Sequence, residues 1–247
     1  FSRAALGRLA ATVARHGLAN VTLEPREAID FTGIPAASVD TVVLNSVAQY
    51  FPDLDYLTQV LSQAANVVAP GGVIFVGDVR DYNLLETFHT SVLRFQTGLA
   101  DGPELTARVR KAVAEDPELA VAPEFFHELC SRIPALKYAE VWSKRGDFDN
   151  ELVCFRYDVL LYVGTAPPEI DVDLQRPFHA PGPLSRITAL LGRQILDTSK
   201  EFDLPRTFVL AEIPDARTAQ PGTSAIHPEA IWALGTRLGY SVRVRTC

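Results

Sequence analysis

Residues 40–79, DTVVLNSVAQYFPDLDYLTQVLSQAANVVAPGGVIFVGDV, decide the fold class. Asp40-Thr41-Val42-Val43-Leu44-Asn45 is a continuous apolar run closed by polar residues, the pattern of a parallel strand buried on both faces. Helical spacing over 55–68 then puts Tyr56, Leu57, Val60, Leu61, Ala64 and Val68 on one side, and Pro70-Gly71-Gly72 ends that helix. Val73-Ile74-Phe75-Val76-Gly77 is the next buried strand, closed by Asp78. Upstream, residues 2–16 place Ala5, Leu6, Leu9, Ala10 and Val13 on one helical face, with Ser2 as cap and Gly17 after the end. Asn20-Val21-Thr22-Leu23 reads as a short strand stopped by Pro25, and 26–38 as a loop. Strands alternating with helices in this way predict a doubly wound α/β sheet.

Downstream the pattern changes. Residues 82–97, 103–115 and 123–131 read as three helices, a lid or insertion spanning about 82–131. Tyr138–Ser143 and Leu152–Val163 read as strands joined across Lys144-Arg145-Gly146-Asp147, a terminal antiparallel hairpin. Residues 165–183 hold Pro167, Pro168, Pro177, Pro181 and Pro183 and are the linker candidate. Residues 184–247 read as helix (184–200), strand (206–212), loop (214–226), helix (227–237) and strand (240–245). The expected organisation is therefore a core over 1–164, a Pro-rich linker over 165–183, and a C-terminal α/β segment of the same module over 184–247.

Composition narrows the function classes. With 23 basic and 30 acidic residues the net charge is −7, so a broad nucleic-acid footprint is not expected. No apolar run reaches the length of a membrane-spanning helix, and Phe1-Ser2-Arg3-Ala4 does not begin a secretory signal. The cysteines, Cys130, Cys154 and Cys247, form no C-x-x-C pair, and an odd number suits a reducing, cytoplasmic setting. Methionine is absent, which predicts an internal piece of a longer polypeptide. The five histidines are scattered without metal-ligand spacing, so no metal is expected, and there is no G-x-G-x-x-G, Walker loop, H-E-x-x-H or G-x-S-x-G. Ligands of open α/β sheets sit beyond the carboxyl ends of the strands, which here are Glu24–Ala28, Asn45–Tyr50 and Asp78–Tyr82.

A family resemblance appears at these strand ends. Val42-Val43-Leu44-Asn45-Ser46-Val47-Ala48-Gln49-Tyr50-Phe51-Pro52 resembles the V-L-N-S-V-x-Q-Y-F-P segment of the S-adenosylmethionine-dependent methyltransferase domains embedded in nonribosomal peptide synthetases. Pro70-Gly71-Gly72 leading to Phe75-Val76-Gly77-Asp78-Val79-Arg80 is similar to their P-G-G-x-x-F-x-G-D-V-R. Leu84-Leu85 with Phe88-His89 and Ser91-Val92 resembles L-L-x-x-F-H-x-S-V, and Asn150-Glu151-Leu152 with Phe155–Leu161 resembles N-E-L-x-x-F-R-Y-D-V-x-L. Ile213-Pro214-Asp215-Ala216-Arg217 resembles I-P-N-A-R, with Asp215 in place of Asn, and His227–Leu234 resembles D-P-E-x-L-W-A-L. Two family features are missing: the Gly-rich loop after the first strand and the ribose-binding acid that ends the second. The expectation is a Rossmann-like class I methyltransferase sheet lacking its first strands, cut at both ends and inactive by itself.

The resemblance implies the site residues. Glu27 and Ala28 would meet the adenine; a carboxylate accepts only, which suits an amino donor. Asn45, Ser46 and Gln49 would line the methionine end of the cofactor, and Asn45 would also meet the substrate amine. The face of Tyr50 would stabilise a sulfonium or forming ammonium by about 0.5–2 kcal/mol. Asp78 would orient the amine and Arg80 would hold Asp78. His89 could take a proton, although a lone helical histidine is more often structural. The implied reaction is N-methylation of an aminoacyl thioester on a phosphopantetheine arm, with adenylation and peptidyl carrier domains as partners. The alternatives are O- or C-methylation of a carrier-bound chain, or a catalytically silent structural insert.

Overall fold

The computed structural model describes residues 2–168, 174–177, 208–211, 213–219, 225–238 and 240–244. In chain order the regular elements are α1 (Arg3–Arg15), β1 (Val39–Asn45), α2 (Leu54–Val67), β2 (Val68–Asp81), α3 (Leu85–Thr97), α4 (Pro103–Ala114), β3 (Ala120–Val121), α5 (Pro123–Arg132), β4 (Leu136–Ser143), α6 (Glu151–Cys154), β5 (Arg156–Val163), β6 (Leu174–Pro177), β7 (Phe208–Ala211) and α7 (Pro228–Leu238). β1 runs parallel to β2 with α2 as the crossover, β2 pairs antiparallel with β5, and β5 pairs antiparallel with β4. The main sheet is thus ordered β1-β2-β5-β4, with β3 parallel to β2 at Arg80 and Asp81. The expected Rossmann-like α/β sheet with a terminal antiparallel hairpin is the architecture found.

Burial follows the apolar spacing. Asp53 caps α2 by accepting from the Tyr56 amide at 2.7 Å, and Leu57, Val60, Leu61 and Ala64 are fully buried on its inner face. They join Ile74 and Val76 of β2, Val159 and Leu161 of β5 and Phe126 and Leu129 of α5 in one core. Each such side chain contributes roughly 1.5–3 kcal/mol. Tyr157 stands at the centre of this core, and its hydroxyl is satisfied by donating to the Val121 carbonyl at 2.7 Å.

Several expectations are corrected. β1 is an edge strand among the described residues, not one buried on both faces, and Val43 is 59% exposed. Residues 20–23 form no strand, because no described strand lies beside them to complete a ladder. α1 is capped by Ser2 as read, yet none of its residues is buried. Pro70-Gly71-Gly72 does not separate helix from strand. It is a bulge inside β2, where the register with β1 jumps from Val39↔Val68 to Thr41↔Val73. The hairpin connection is longer than read: α6, capped by Asn150, intervenes before β5. β3 escapes sequence reading because two residues carry no period. Part of the expected linker, Leu174–Pro177, is β6, paired parallel with β7. Residues 240–244 form no strand, and the helix expected at 184–200 lies outside the described residues.

Gly72 explains why the bulge needs glycine. A Cβ there would lie 2.5 Å from the Asp40 carbonyl oxygen and 2.7 Å from a Val68 methyl, and the first is backbone that cannot yield cheaply. Gly72→Ala is expected to lower stability by about 1–3 kcal/mol, read as the shift in urea midpoint. An unchanged midpoint would mean that β1 and β2 part there without penalty.

Candidate functional site at the strand ends

Two non-glycine residues that follow the apolar runs of β1 and β2 adopt the left-handed conformation: Ser46, just after β1, at φ 55°, and Asp78 at φ 67°. The strand does not close at Asp78 as read; β2 runs on to Asp81, and Asp78 sits at a bulge where the pairing with β5 shifts between Val76 and Val79. Left-handed backbone costs about 1–3 kcal/mol and persists only where its surroundings fix it. Here the Ser46 amide donates to the Gly77 carbonyl at 3.0 Å, and the Asp78 amide donates to Asp158 Oδ1 at 2.8 Å. The twin turns bring Asn45, Ser46 and Asp78 together. Asn45 Nδ2 donates to Ser46 Oγ at 3.2 Å, and Ser46 Oγ donates to Asp78 Oδ2 at 3.1 Å. Gly77 permits the approach, since a Cβ there would lie 2.2 Å from Asn45 Oδ1.

Asp78 is buried and held by cations other than the expected one. Arg156 Nη1 donates to its Oδ2 at 3.0 Å, and Lys144 Nζ stands 3.7 Å from its Oδ1 while bonding Asp158 at 2.9 Å. Arg80 instead forms a two-pronged bond with Asp116, at 2.7 and 2.9 Å. The physical reason is local: the pairing with β5 shifts between Val76 and Val79 and Asp78 has φ 67°, which breaks the strand's alternation, while Arg80 pairs with Ala120 of β3, beside the segment that carries Asp116. Asp116 also accepts from His89 Nε2 at 2.7 Å. Burial opposes its ionisation, but the hydrogen bonds from Arg80, the Glu118 amide and His89 outweigh this and hold its carboxyl down to about 2. Glu118 reaches both guanidinium groups, 3.5 Å from Arg80 and 3.9 Å from Arg156, and Glu151 bonds Arg156 at 2.6 Å. Five carboxylates (Asp78, Asp116, Glu118, Glu151 and Asp158) thus meet three permanent cations (Arg80, Lys144 and Arg156), an environment with a surplus of negative charge.

The Asn45–Tyr50 turn is not sealed in the interior. Asn45 is exposed and Tyr50 is 71% exposed. Gln49 is the exception, 4% exposed, with Nε2 donating to the Ser46 carbonyl at 3.2 Å and Oε1 buried without a donor. A buried acceptor left without a donor costs about 1–3 kcal/mol, and no donor to this atom stands among the described residues. The Leu119 amide donates to the Gln49 carbonyl at 2.8 Å, tying the Asp116–Leu119 segment beside the turn. Glu27 is exposed, Ala28 half-buried against the core, and no hydrogen bond or ion pair joins Glu27 to the other candidates among the described residues. Sequence reading missed Asp116, Glu118 and Lys144. Arg156, Glu151 and Asp158 lay in a quoted motif, but Asp116 and Glu118 carried no signal.

The two C-terminal motifs fasten this region. The Arg217 guanidinium is paired with Asp215 and donates to the carbonyls of Lys144 at 2.9 Å and Val153 at 3.0 Å, on the two sides of the β4–β5 connection. Glu229 takes two bonds from Arg145 and one from the Gly146 amide, while Arg145 lies 4.2 Å over the Trp232 ring. Elsewhere, a cavity of about 220 Å³ opens between α3 and α4, lined by Glu86, Thr90, Arg94 and Asp101 among others; none of the expected site residues lines it. No helix among the described residues is long and apolar enough to cross a membrane.

Comparison with known proteins gives relatives of one kind. The chain is 36% identical over 235 residues, 94% of its length, to the probable nonribosomal peptide synthetase CymA of Salinispora arenicola. It is 49% identical over 154 residues to chondramide synthase of Chondromyces crocatus and 36% identical over 202 residues to cyclosporin synthetase of Tolypocladium inflatum. It spans only 4% of chondramide synthase and 3% of CymA. No protein-family model matches. Similar solved structures include the N-methyltransferase NodS of Bradyrhizobium japonicum with S-adenosyl-L-homocysteine (TM-score 0.40, 18% identity, covering 65% of this chain and 61% of that one). Another is PKMT2 of Rickettsia typhi (TM-score 0.46, 14% identity, covering 67% and 43%). The chain is a homologue of segments of nonribosomal peptide synthetases, with a mixed α/β fold.

Proposed function

We propose that this chain is the methyltransferase segment of a nonribosomal peptide synthetase and carries methyl from S-adenosylmethionine to the α-amine of a carrier-bound aminoacyl thioester. Adenylation and peptidyl carrier domains are its working partners. The observation that carries the reading is the strained turn pair at Ser46 and Asp78, open to solvent at Asn45 and Tyr50 and set over an anion-rich network. The cofactor fits these residues: its charge suits the negative surplus, and its amino group suits the buried Oε1 of Gln49, which has no donor among the described residues.

When bound, the cofactor supplies an electrophilic methyl on a sulfonium. Asn45, Ser46 and Gln49 hold its methionine end, and Glu27 with Ala28 the adenine. Asp78, paired with Arg156 and Lys144, accepts a hydrogen bond from the substrate amine and fixes its direction. Tyr50 offers its exposed ring face to the cationic centre. Arg80 keeps the Asp116–Leu119 segment in register beside Gln49. The protein's part is alignment, which supplies roughly 7–11 kcal/mol in favourable cases.

The test is a synthetase module containing this chain, its carrier loaded with an amino acid, and S-adenosylmethionine carrying a labelled methyl. Label on the α-nitrogen of the released product is the expected result. Label on oxygen or carbon, or none with the carrier fully loaded, rejects the reading.

A further inference from the structure

We propose that Arg217 is a positioning residue for methyl transfer, which sets the Lys144 ammonium on Asp78 and Asp158; this rests on the N-methylation reading above. The carrying observation is one buried guanidinium that joins segments far apart in the chain. Arg217 lies between β7 and α7, and its side chain is 4% exposed. Its Nη1 donates to the Lys144 carbonyl at 2.9 Å and to the Val153 carbonyl at 3.0 Å. Its Nε and Nη2 grip Asp215 Oδ2 at 3.0 and 2.5 Å.

Both carbonyls lie where the regular ladders stop. The pairing of β4 with β5 ends at Ser143↔Tyr157, and Lys144 is the first residue beyond it. Within α6 the Cys154 and Phe155 amides bond back to Asn150 and Glu151, which leaves the Val153 carbonyl to Arg217. Two carbonyls on one nitrogen fix the residue after β4 against the helix that leads into β5. A guanidinium presents five N–H groups in one plane, so it holds both carbonyls and a carboxylate together, which the point charge of a lysine does not.

Lys144 carries this placement to the site. Its Nζ donates to Asp158 Oδ1 at 2.9 Å and stands 3.7 Å from Asp78 Oδ1. Asp158 Oδ1 also accepts the Asp78 amide at 2.8 Å, the bond that fixes the left-handed turn. The path from Arg217 to Asp78 therefore has a single link: Lys144 accepts from Arg217 through its carbonyl and meets both carboxylates through its ammonium. Glu229 holds the same connection further along, at Arg145 and the Gly146 amide. With the backbone of Lys144 fixed, its ammonium holds Asp78 in the direction from which the carboxylate receives the substrate amine.

The test is methyl transfer by the synthetase module containing this chain, as wild type, Arg217→Gln, Lys144→Met and the double variant. The readings are kcat and the KM for S-adenosylmethionine. Arg217→Gln is expected to lower kcat by about 10–100-fold, the scale of a misplacement of about 1 Å, and to move KM by less than about threefold. The double variant is expected to stay within about threefold of Lys144→Met, because both changes act through one ammonium. Amide hydrogen exchange reads the clamp without catalysis: in Arg217→Gln the Asp78 amide is expected to exchange about tenfold faster, with Ile74 and Val76 unchanged. A kcat for Arg217→Gln within about threefold of wild type, or a double variant that loses the full product of the two single losses, overturns the inference and leaves the function reading intact. Faster exchange along the whole of β2 also overturns it, since Arg217 then serves the fold at large. A wild type that methylates no amine overturns both.

Discussion

Asp78→Ala lowers the unfolding free energy by about 3–5 kcal/mol, the cost of breaking a buried ion pair by removing one partner. The Asp78 side chain is 12% exposed, and its carboxylate accepts from Ser46 and Arg156 with Lys144 nearby. Without it, Arg156 keeps Glu151 but loses its bond to Asp78, and its Nε has no partner among the described residues. Alanine also suits the local backbone poorly, because φ 67° brings its Cβ against the following carbonyl at a cost of roughly 1–2 kcal/mol. Two companion variants separate these effects. Asp78→Gly removes the charge and the backbone strain together and is expected to be about 1 kcal/mol more stable than Asp78→Ala. Asp78→Asn keeps a side chain that tolerates the left-handed region and is expected to be the mildest of the three. Urea unfolding of the set reads the order. If Asp78→Ala lies within 1 kcal/mol of wild type, the network around Asp78 does not hold the two turns.

This part of the site is where sequence reading reached furthest. Asn45 ends β1 and Asp78 follows the apolar run inside β2, and parallel pairing through α2 sets Asn45 opposite Gly77, so the residues after both runs meet. Period and closure were therefore enough to bring them together. They were not enough to say which cation holds Asp78. That depends on β5 lying next to β2, so that Arg156 and Asp158 come alongside, and antiparallel register between segments 80 residues apart leaves no trace in local spacing. The continuous apolar run of β1 misled for a related reason. It reports that both faces prefer an apolar neighbour, not that one is present, and Val43 stays exposed. Asp116 was invisible because its segment is irregular and its partners, Arg80 and His89, lie 36 and 27 residues away. Arg217 and Glu229 were legible only as motif letters; their work on the β4–β5 connection required that the connection be seen.

Asp81 makes the fold more stable in mild acid than at neutral pH. Burial is the main cause: it pushes the carboxyl up from 3.8 to about 6, helped by the charge of Glu124 and opposed by hydrogen bonds from the Asn83 and Leu84 amides. Because the folded value exceeds the unfolded one, the folded chain holds a proton between these limits that the unfolded chain releases. Ionised Asp81 therefore weighs against folding by about 3 kcal/mol above pH 6. That penalty falls as pH drops through 6 and is gone below about 4. Asp116 acts in the opposite sense, its stabilisation being lost only as pH falls from about 4 towards 2, so the two do not overlap above pH 5. Between pH 7.5 and pH 5 the wild type is expected to gain about 1 kcal/mol. Asp81→Asn can still accept from the Asn83 amide, now at 2.8 Å, but cannot ionise. It is expected to exceed wild type by about 1–3 kcal/mol at pH 7.5 and to lose the difference in slope between the two pH values. Urea unfolding of both proteins at each pH measures it. Parallel slopes for wild type and variant would show that Asp81 ionises in the folded chain as readily as in the unfolded one, and that water reaches the end of β2.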